Sequence, residues 1–160
     1  MLNGEYKVQK FTLTVFINRS QQDVFDFLSD PANLSKWNSN FTSAEWASSN
    51  VPGLGSMYRV RTKMSGGKNE GLFEITQWDP SHRYSYRSIS RLPFPLECIE
   101  SAVTLTPKEN GTQLTFESQF GLVGVLKVVE GMFRKVAEKE DGNNFDTAKR
   151  LLEANEPANG

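Results

Sequence analysis

The first regular pattern in the chain runs through Phe11, Leu13, Val15 and Ile17, which alternate with threonines at the two-residue period of a half-buried strand. Phe16 interrupts the polar side, so the outer face of that strand is expected to be partly covered. The period then changes. Ser20 followed by Asp23 reads as a helix start, a capping hydroxyl with an acid in the electropositive first turn. Val24, Phe25, Phe27 and Leu28 supply the buried side of this short helix. Asp30-Pro31 ends it, because a proline disfavours helical geometry in the residue before it. A second short helix is expected over residues 32–37, ending at Trp37.

Strand patterning resumes at residue 41. Residues 41–46 are one candidate strand, and Val51-Pro52-Gly53-Leu54-Gly55 is a turn. Residues 57–64 place Tyr58, Val60, Thr62 and Met64 on one face and Arg59, Arg61 and Lys63 on the other. Ser65-Gly66-Gly67-Lys68 is a hairpin signal leading to residues 71–78, where Phe73, Ile75 and Gln77 share a face. Asp79-Pro80-Ser81-His82 turns the chain into residues 83–89. The Pro-bracketed loop Leu92-Pro93-Phe94-Pro95 precedes a strand over residues 96–106. Asn110-Gly111, a strong hairpin signal, leads to residues 112–120, with Leu114, Phe116, Ser118 and Phe120 on one face. These links are too short for parallel crossovers, so the seven strands are expected to pair antiparallel.

Helical spacing returns at the end, from near Val125, through Leu126, Val129, Phe133, Val136, Ala137, Ala148, Leu151 and Leu152. The Asp141-Gly142-Asn143-Asn144 cluster leaves two readings open. Either the helix breaks there, or it continues with polar residues interrupting its buried stripe. On the second reading Asn144 faces inward, where a ligand or enclosed water would satisfy it; on the first it is exposed.

The 160 residues fit one domain across 1–160, with no repeat and no second core. Eighteen basic and 19 acidic side chains leave a net charge of -1, which excludes general attraction to nucleic acid or anionic membrane. His82 and Cys98 are the single histidine and cysteine, too few for a His/Cys zinc site, and no cofactor is expected. Residues 1–7 show no secretory pattern, and the apolar run over 120–129 is broken by Gly124 and Lys127 and too short to span a bilayer. The expected setting is therefore cytoplasmic, without stable membrane insertion. Cys98 is then reduced, and the sequons at Asn18, Asn40 and Asn110 are chance matches.

Few residues carry recognisable chemistry. Gly53-Leu54-Gly55 lacks a third glycine and leads into a strand, so it is no phosphate cradle. Arg59, Arg61 and Lys63 read as a solvated outer face, His82 as a loop histidine and Cys98 as a small strand residue.

The order is strand, two short helices, six strands, then a long helix. With Ile17-Asn18-Arg19-Ser20 leading into Val24-Phe25-Asp26-Phe27-Leu28-Ser29-Asp30-Pro31 and Trp37, it resembles the START-like (SRPBCC) superfamily, in its polyketide cyclase/dehydrase branch. Gly53-Leu54-Gly55, Trp78-Asp79-Pro80 with Arg83-Tyr84, and Leu105-Thr106-Pro107 with Gly111-Thr112 extend the likeness over residues 8–153. The resemblance implies an α+β helix-grip fold, a seven-stranded antiparallel sheet wrapped around the C-terminal helix and enclosing an apolar cavity. It also implies a partner class: lipids, polyketides or other hydrophobic small molecules.

On that arrangement, the strand faces carrying Tyr58, Phe73, Gln77, Phe116 and Ser118 point inward, with Tyr86 less certain. Trp37, Phe94, Phe133 and Asn144 complete the candidate ligand-binding set. Such a lining combines apolar walls with sparse polar groups, as small-molecule pockets do. Ligand binding is the favoured reading. A cyclase or dehydratase would need an acid/base pair, for which Tyr58, Tyr86 and Glu100 are candidates; an interaction domain would fill the cavity with side chains.

Overall fold

Two antiparallel ladders meet on β7 (Gly111–Leu122), which pairs β1 (Gln9–Ile17) on one side and β6 (Leu96–Lys108) on the other. The computed structural model describes residues 8–48, 51–63, 69–90, 96–122 and 130–155. From β6 the sheet continues through β5 (Arg83–Ser88), β4 (Glu70–Asp79) and β3 (Met57–Thr62) to β2 (Phe41–Trp46), seven antiparallel strands in all. Helices α1 (Gln21–Ser29) and α2 (Pro31–Trp37) link β1 to β2, and α3 (Glu130–Ala154) closes the chain. The expected 65–68 turn with Met64, the 92–95 loop with Phe94, and the helical start from Val125 through Val129 lie outside the described residues.

Local chemistry explains the element ends. The Ser20 hydroxyl accepts a hydrogen bond from the Asp23 amide at 3.1 Å, capping α1. Asp30 has extended backbone and ends α1, while its carboxylate accepts from the Ala32 amide at 2.9 Å and starts α2. Pro31 occupies the first turn of α2, where its missing amide costs nothing, so α2 starts one residue earlier than expected. At the other end of the fold, the Arg19 guanidinium donates to the carbonyls of Leu152, at 2.7 Å, and Asn155. A cation at the last carbonyls of α3 satisfies groups that have no partner within the helix.

Bulges in the β4–β5 and β6–β7 ladders, besides one near Phe41 at the start of β2, reset which side chains face inward. Between Ile75 and Gln77 the β4–β5 register shifts by one residue, so that Trp78 lies opposite Tyr84. Gln77 is thereby turned outward: it is exposed and accepts from Arg83 Nε at 2.8 Å. The β6–β7 register shifts between Cys98 and Glu100. Cys98, rather than Ile99, therefore pairs with Phe120 on the inner face, and Ser101 pairs with Ser118. An alternation count carried straight through a bulge inverts every assignment beyond it.

Helix α3 is continuous through residues 141–144, so the break that Gly142 and Asn143 raised does not occur. Asn144 is only 3% exposed, yet its polar groups are satisfied by protein. Its carbonyl accepts from the Ser39 amide and hydroxyl at 3.1 and 3.2 Å, and its amide donates to Asn38 Oδ1 at 3.3 Å. It is a strut between α3 and the α2–β2 link. Next to it, the Phe145 ring packs on Phe116 at 4.8 Å and on Trp37 at 5.3 Å. Among the described residues of α3 the fully buried ones are Asn144, Phe145, Ala148 and Leu152, all in this C-terminal half, whereas Phe133, Ala137 and Asp141 are half-buried.

Two substitutions test this frame. Asn144→Leu leaves the Ser39 amide and Asn38 without their partner, and should lower unfolding stability by about 1–3 kcal/mol in urea titrations. Gly111 follows Asn110, whose φ is 61°, and a Cβ on it would collide with the Ile17 carbonyl and the Phe16 ring. Gly111→Ala should therefore cost about 1–3 kcal/mol by the same measurement.

Candidate ligand-binding cavity

Between the inner sheet face, α1–α2 and the N-terminal half of α3 lies a cavity of about 320 Å³. That is the lower end of the range of roughly 300–1,000 Å³ that holds small molecules. Its sheet wall is aromatic: Tyr58 stacks on Phe73 at 5.3 Å, and Tyr86 meets both edge-on at 6.2 and 5.6 Å. Phe11, Phe116 and Phe120 continue the wall, with Phe11 6.1 Å from each of the other two rings. Leu34 and Trp37 of α2 close one side, and Phe133 and Ala137 of α3 form the roof. Val136 and Glu140, both exposed, stand at the rim.

Polar groups on the sheet wall are sparse: the hydroxyls of Tyr58, Tyr84 and Tyr86, and a strip of small side chains on β6 and β7. Cys98 Sγ lies 3.5 Å from Ser101 Oγ, and the Ser101 hydroxyl donates to Ser118 Oγ at 3.4 Å. Tyr86 lies opposite the same Ser101 on the neighbouring strand. Burial pushes the phenols of Tyr58, Tyr84 and Tyr86 well above their ordinary values, and pushes the Cys98 thiol up to about 11. All four are neutral at physiological pH, so the strip offers neutral hydrogen-bond groups and no thiolate nucleophile.

From the helix side comes one titratable group. Asp141 lines the cavity, and its carboxyl is raised to about 7, by burial first and by the neighbouring Glu140 second. A hydrogen bond with Asn144 partly offsets this. Asp141 can therefore hold or release a proton near neutrality. The indole N–H of Trp37 is buried without a partner.

The structure brings Trp37, Tyr58, Phe73, Tyr86, Phe116, Ser118 and Phe133 together around this space. It leaves Gln77 on the outer face and gives Asn144 to the α2–β2 link, while Phe94 lies outside the described residues. Glu100 is exposed and accepts from the Thr76 hydroxyl at 3.0 Å outside the cavity. Arg59 and Arg61 form ion pairs with Glu45 and Glu70 on neighbouring strands at 3.6 and 2.9 Å. His82 is exposed in its turn beside Asp79. Sequence reasoning missed Asp141 and Cys98 as lining residues. The helical stripe through Phe133 and Ala137 does reach Asp141 at the next turn, a signal that becomes decisive once the helix is unbroken.

The Asp141 carboxyl carries a pH signature. Its folded value lies above the unfolded value near 3.8, so the native state holds a proton that the unfolded chain has lost between those limits. Stability should therefore fall as pH rises from about 4 to about 7. Asp141→Asn should remove this fall, so that its stability gain over the natural protein is larger at about pH 8 than at about pH 5 by roughly 1–3 kcal/mol in denaturant titrations.

With this geometry in view, the chain can be set beside known proteins. Residues 8–153 match the family model described as polyketide cyclase / dehydrase and lipid transport. Among curated proteins the sequence finds no significant match. The structure is similar to the Zhui aromatase/cyclase from Streptomyces sp. R1128, with a TM-score of 0.76 and 16% identity over 96% of this chain and 98% of that one. It is also similar to Ara h 8.0201, at a TM-score of 0.70 and 18% identity over 92% and 99% of the two chains. A third likeness, to the di-domain ARO/CYC BexL, has a TM-score of 0.72 and 21% identity over 93% of this chain and 51% of that one. At these identities the likenesses establish the helix-grip fold. The family match covers nearly the whole chain, and the protein belongs to the START-like superfamily, in its polyketide cyclase/dehydrase and lipid transport family.

Proposed function

We propose that this protein binds a hydrophobic small molecule in the cavity beneath α3, in a cytoplasmic setting. One observation carries the reading: about 320 Å³ of open space walled by aromatic rings, with sparse neutral hydrogen-bonding groups, the hydroxyls of Tyr58, Tyr84 and Tyr86 and the Cys98–Ser101–Ser118 strip. An apolar body gains from leaving water against such a wall, at roughly 25 cal/mol per Å² of buried surface. The strip then fixes orientation by hydrogen bonds. The open volume speaks against an interaction domain filled by its own side chains. No helix among the described residues is long and apolar enough to cross a membrane.

A second reading rests on Asp141. A carboxyl raised to about 7, facing the sheet-wall phenol, is suited to proton transfer in a cyclase- or dehydratase-type reaction. Native mass spectrometry of freshly purified protein separates the two. A bound hydrophobic molecule recovered unchanged after incubation supports binding alone. Loss of water or ring closure that stops in Asp141→Asn supports catalysis.

The binding reading has a direct test in Ala137→Phe, which fills the roof of the cavity with a ring that suits the neighbouring aromatics. The natural protein should enhance the fluorescence of the neutral probe Nile Red saturably. The variant should bind it at least about tenfold more weakly, with its melting temperature unchanged or raised. Equal probe affinity in both proteins would place the probe elsewhere and reject the cavity.

A further inference from the structure

The cavity is asymmetric in charge. Its lining includes two carboxyl groups, Glu140 at the rim and Asp141 within, and among the described residues no lysine, arginine or histidine. The basic residues of the overlying helix segment are directed elsewhere: Arg134 pairs with Glu138 at 3.3 Å, while Lys135 and Lys139 are exposed. The groups facing Asp141 from the other elements are the Tyr86 phenol of β5 and the Cys98 thiol of β6, both held neutral by burial. Asn144 on its own helix supplies a neutral hydrogen bond. Nothing among these compensates a negative charge on Asp141.

An ionised carboxylate in an apolar cavity gains most from a ligand that brings a positive charge. A ligand bearing its own carboxylate meets the opposite situation. It would place a negative charge against the Asp141 carboxylate, where little water screens the repulsion, with the solvent-screened charge of Glu140 at the rim adding to it. The aromatic faces of Tyr58, Phe73 and Tyr86 add to the selection, since ring faces attract cations and not anions. A neutral alcohol falls between the two, able to bond to the wall hydroxyls but gaining no charge pairing.

We propose that the cavity is selective for lipophilic amines, with the apolar body against the aromatic wall, the protonated nitrogen on the Asp141 carboxylate, and fatty-acid anions rejected. The inference rests on the cavity-binding reading and adds the class of ligand to it. Its pH dependence follows from the pairing. The amine is charged throughout the neutral range, so its affinity rises as pH carries Asp141 through about 7 into the ionised form.

The test uses three ligands with the same chain and different heads: dodecylamine, dodecanol and dodecanoate. Each competes with Nile Red for the full protein below its micellar concentration. At about pH 8 dodecylamine should displace the probe at least about tenfold more tightly than dodecanol, and dodecanoate should be the weakest of the three. At about pH 5, where Asp141 is protonated, the amine's advantage over the alcohol should shrink to about threefold or less. Asp141→Asn should show that small ratio at both pH values, each ligand being compared with dodecanol on the same variant. Dodecanoate binding as tightly as dodecylamine overturns the inference, as does an amine advantage that persists in Asp141→Asn. Dodecanol binding without any amine advantage overturns it while leaving the cavity reading intact. If no ligand displaces the probe, both fall together. Should Asp141→Asn fail to fold, the order of the three heads in the natural protein and its change with pH decide the matter.

Discussion

The seating of Phe145 between Phe116 and Trp37 is the contact on which the rest of this structure depends. It joins the long helix to the sheet through Phe116 and to the short-helix layer through Trp37, so three layers share one aromatic junction. Asn144, one residue earlier, adds the directional part by hydrogen bonding to Asn38 and Ser39. Apolar packing alone would tolerate sliding of the helix along its axis. A buried amide with fixed partners does not, because each shifted position would leave polar groups unsatisfied. The position of α3, and with it the depth of the space beneath, is thereby set.

How far this could be read from sequence varied along the chain for physical reasons. The caps at Ser20 and Asp30, the Asn110-Gly111 turn and the seven strand patterns depend on neighbouring residues, and short windows reveal them. The bulges after Ile75 and Cys98 leave no comparable local mark. They are properties of two strands at once, and so alternation alone puts Gln77 on the wrong face and leaves Trp78 and Cys98 without one. Helix continuity at Gly142-Asn143-Asn144 failed to show for a related reason. Local propensity counts against those residues, and tertiary bonds from Asn38 and Ser39 outweigh it.

The candidate site divides along the same line. Its aromatic wall followed from strand alternation, since Tyr58, Phe73 and Phe116 all precede or avoid a bulge in their own strands. Its polar content followed only in part: Ser118 was legible from the same alternation, while Cys98 and Asp141 were not. Ser101 and Cys98 approach one another because the bulge brings residues three apart onto one face, a spacing that ordinary alternation forbids. Asp141 acquires its chemistry chiefly from burial, with the neighbouring Glu140 adding to it, and no spacing rule supplies the burial. Members of one fold family can therefore keep the same wall and differ sharply in reactivity, through a few positions that sequence patterns pass over.

The uneven burial of α3 has a mechanical consequence. Its last half is clamped by the fully buried Phe145, Ala148 and Leu152 and by the Arg19 guanidinium at its end, whereas Phe133, Ala137 and Asp141 of the preceding span are only half-buried. The helix is a beam held firmly along its last half and more lightly, by half-buried side chains such as Phe133 and Ala137, along the span that roofs the cavity. Bending of the lightly held span would open the roof without disturbing the aromatic junction, so that access is separated from global stability. Hydrogen exchange should then find the amides of that span opening more readily than those around Asn144, entry being governed by the span and the lifetime of the fold by the clamp.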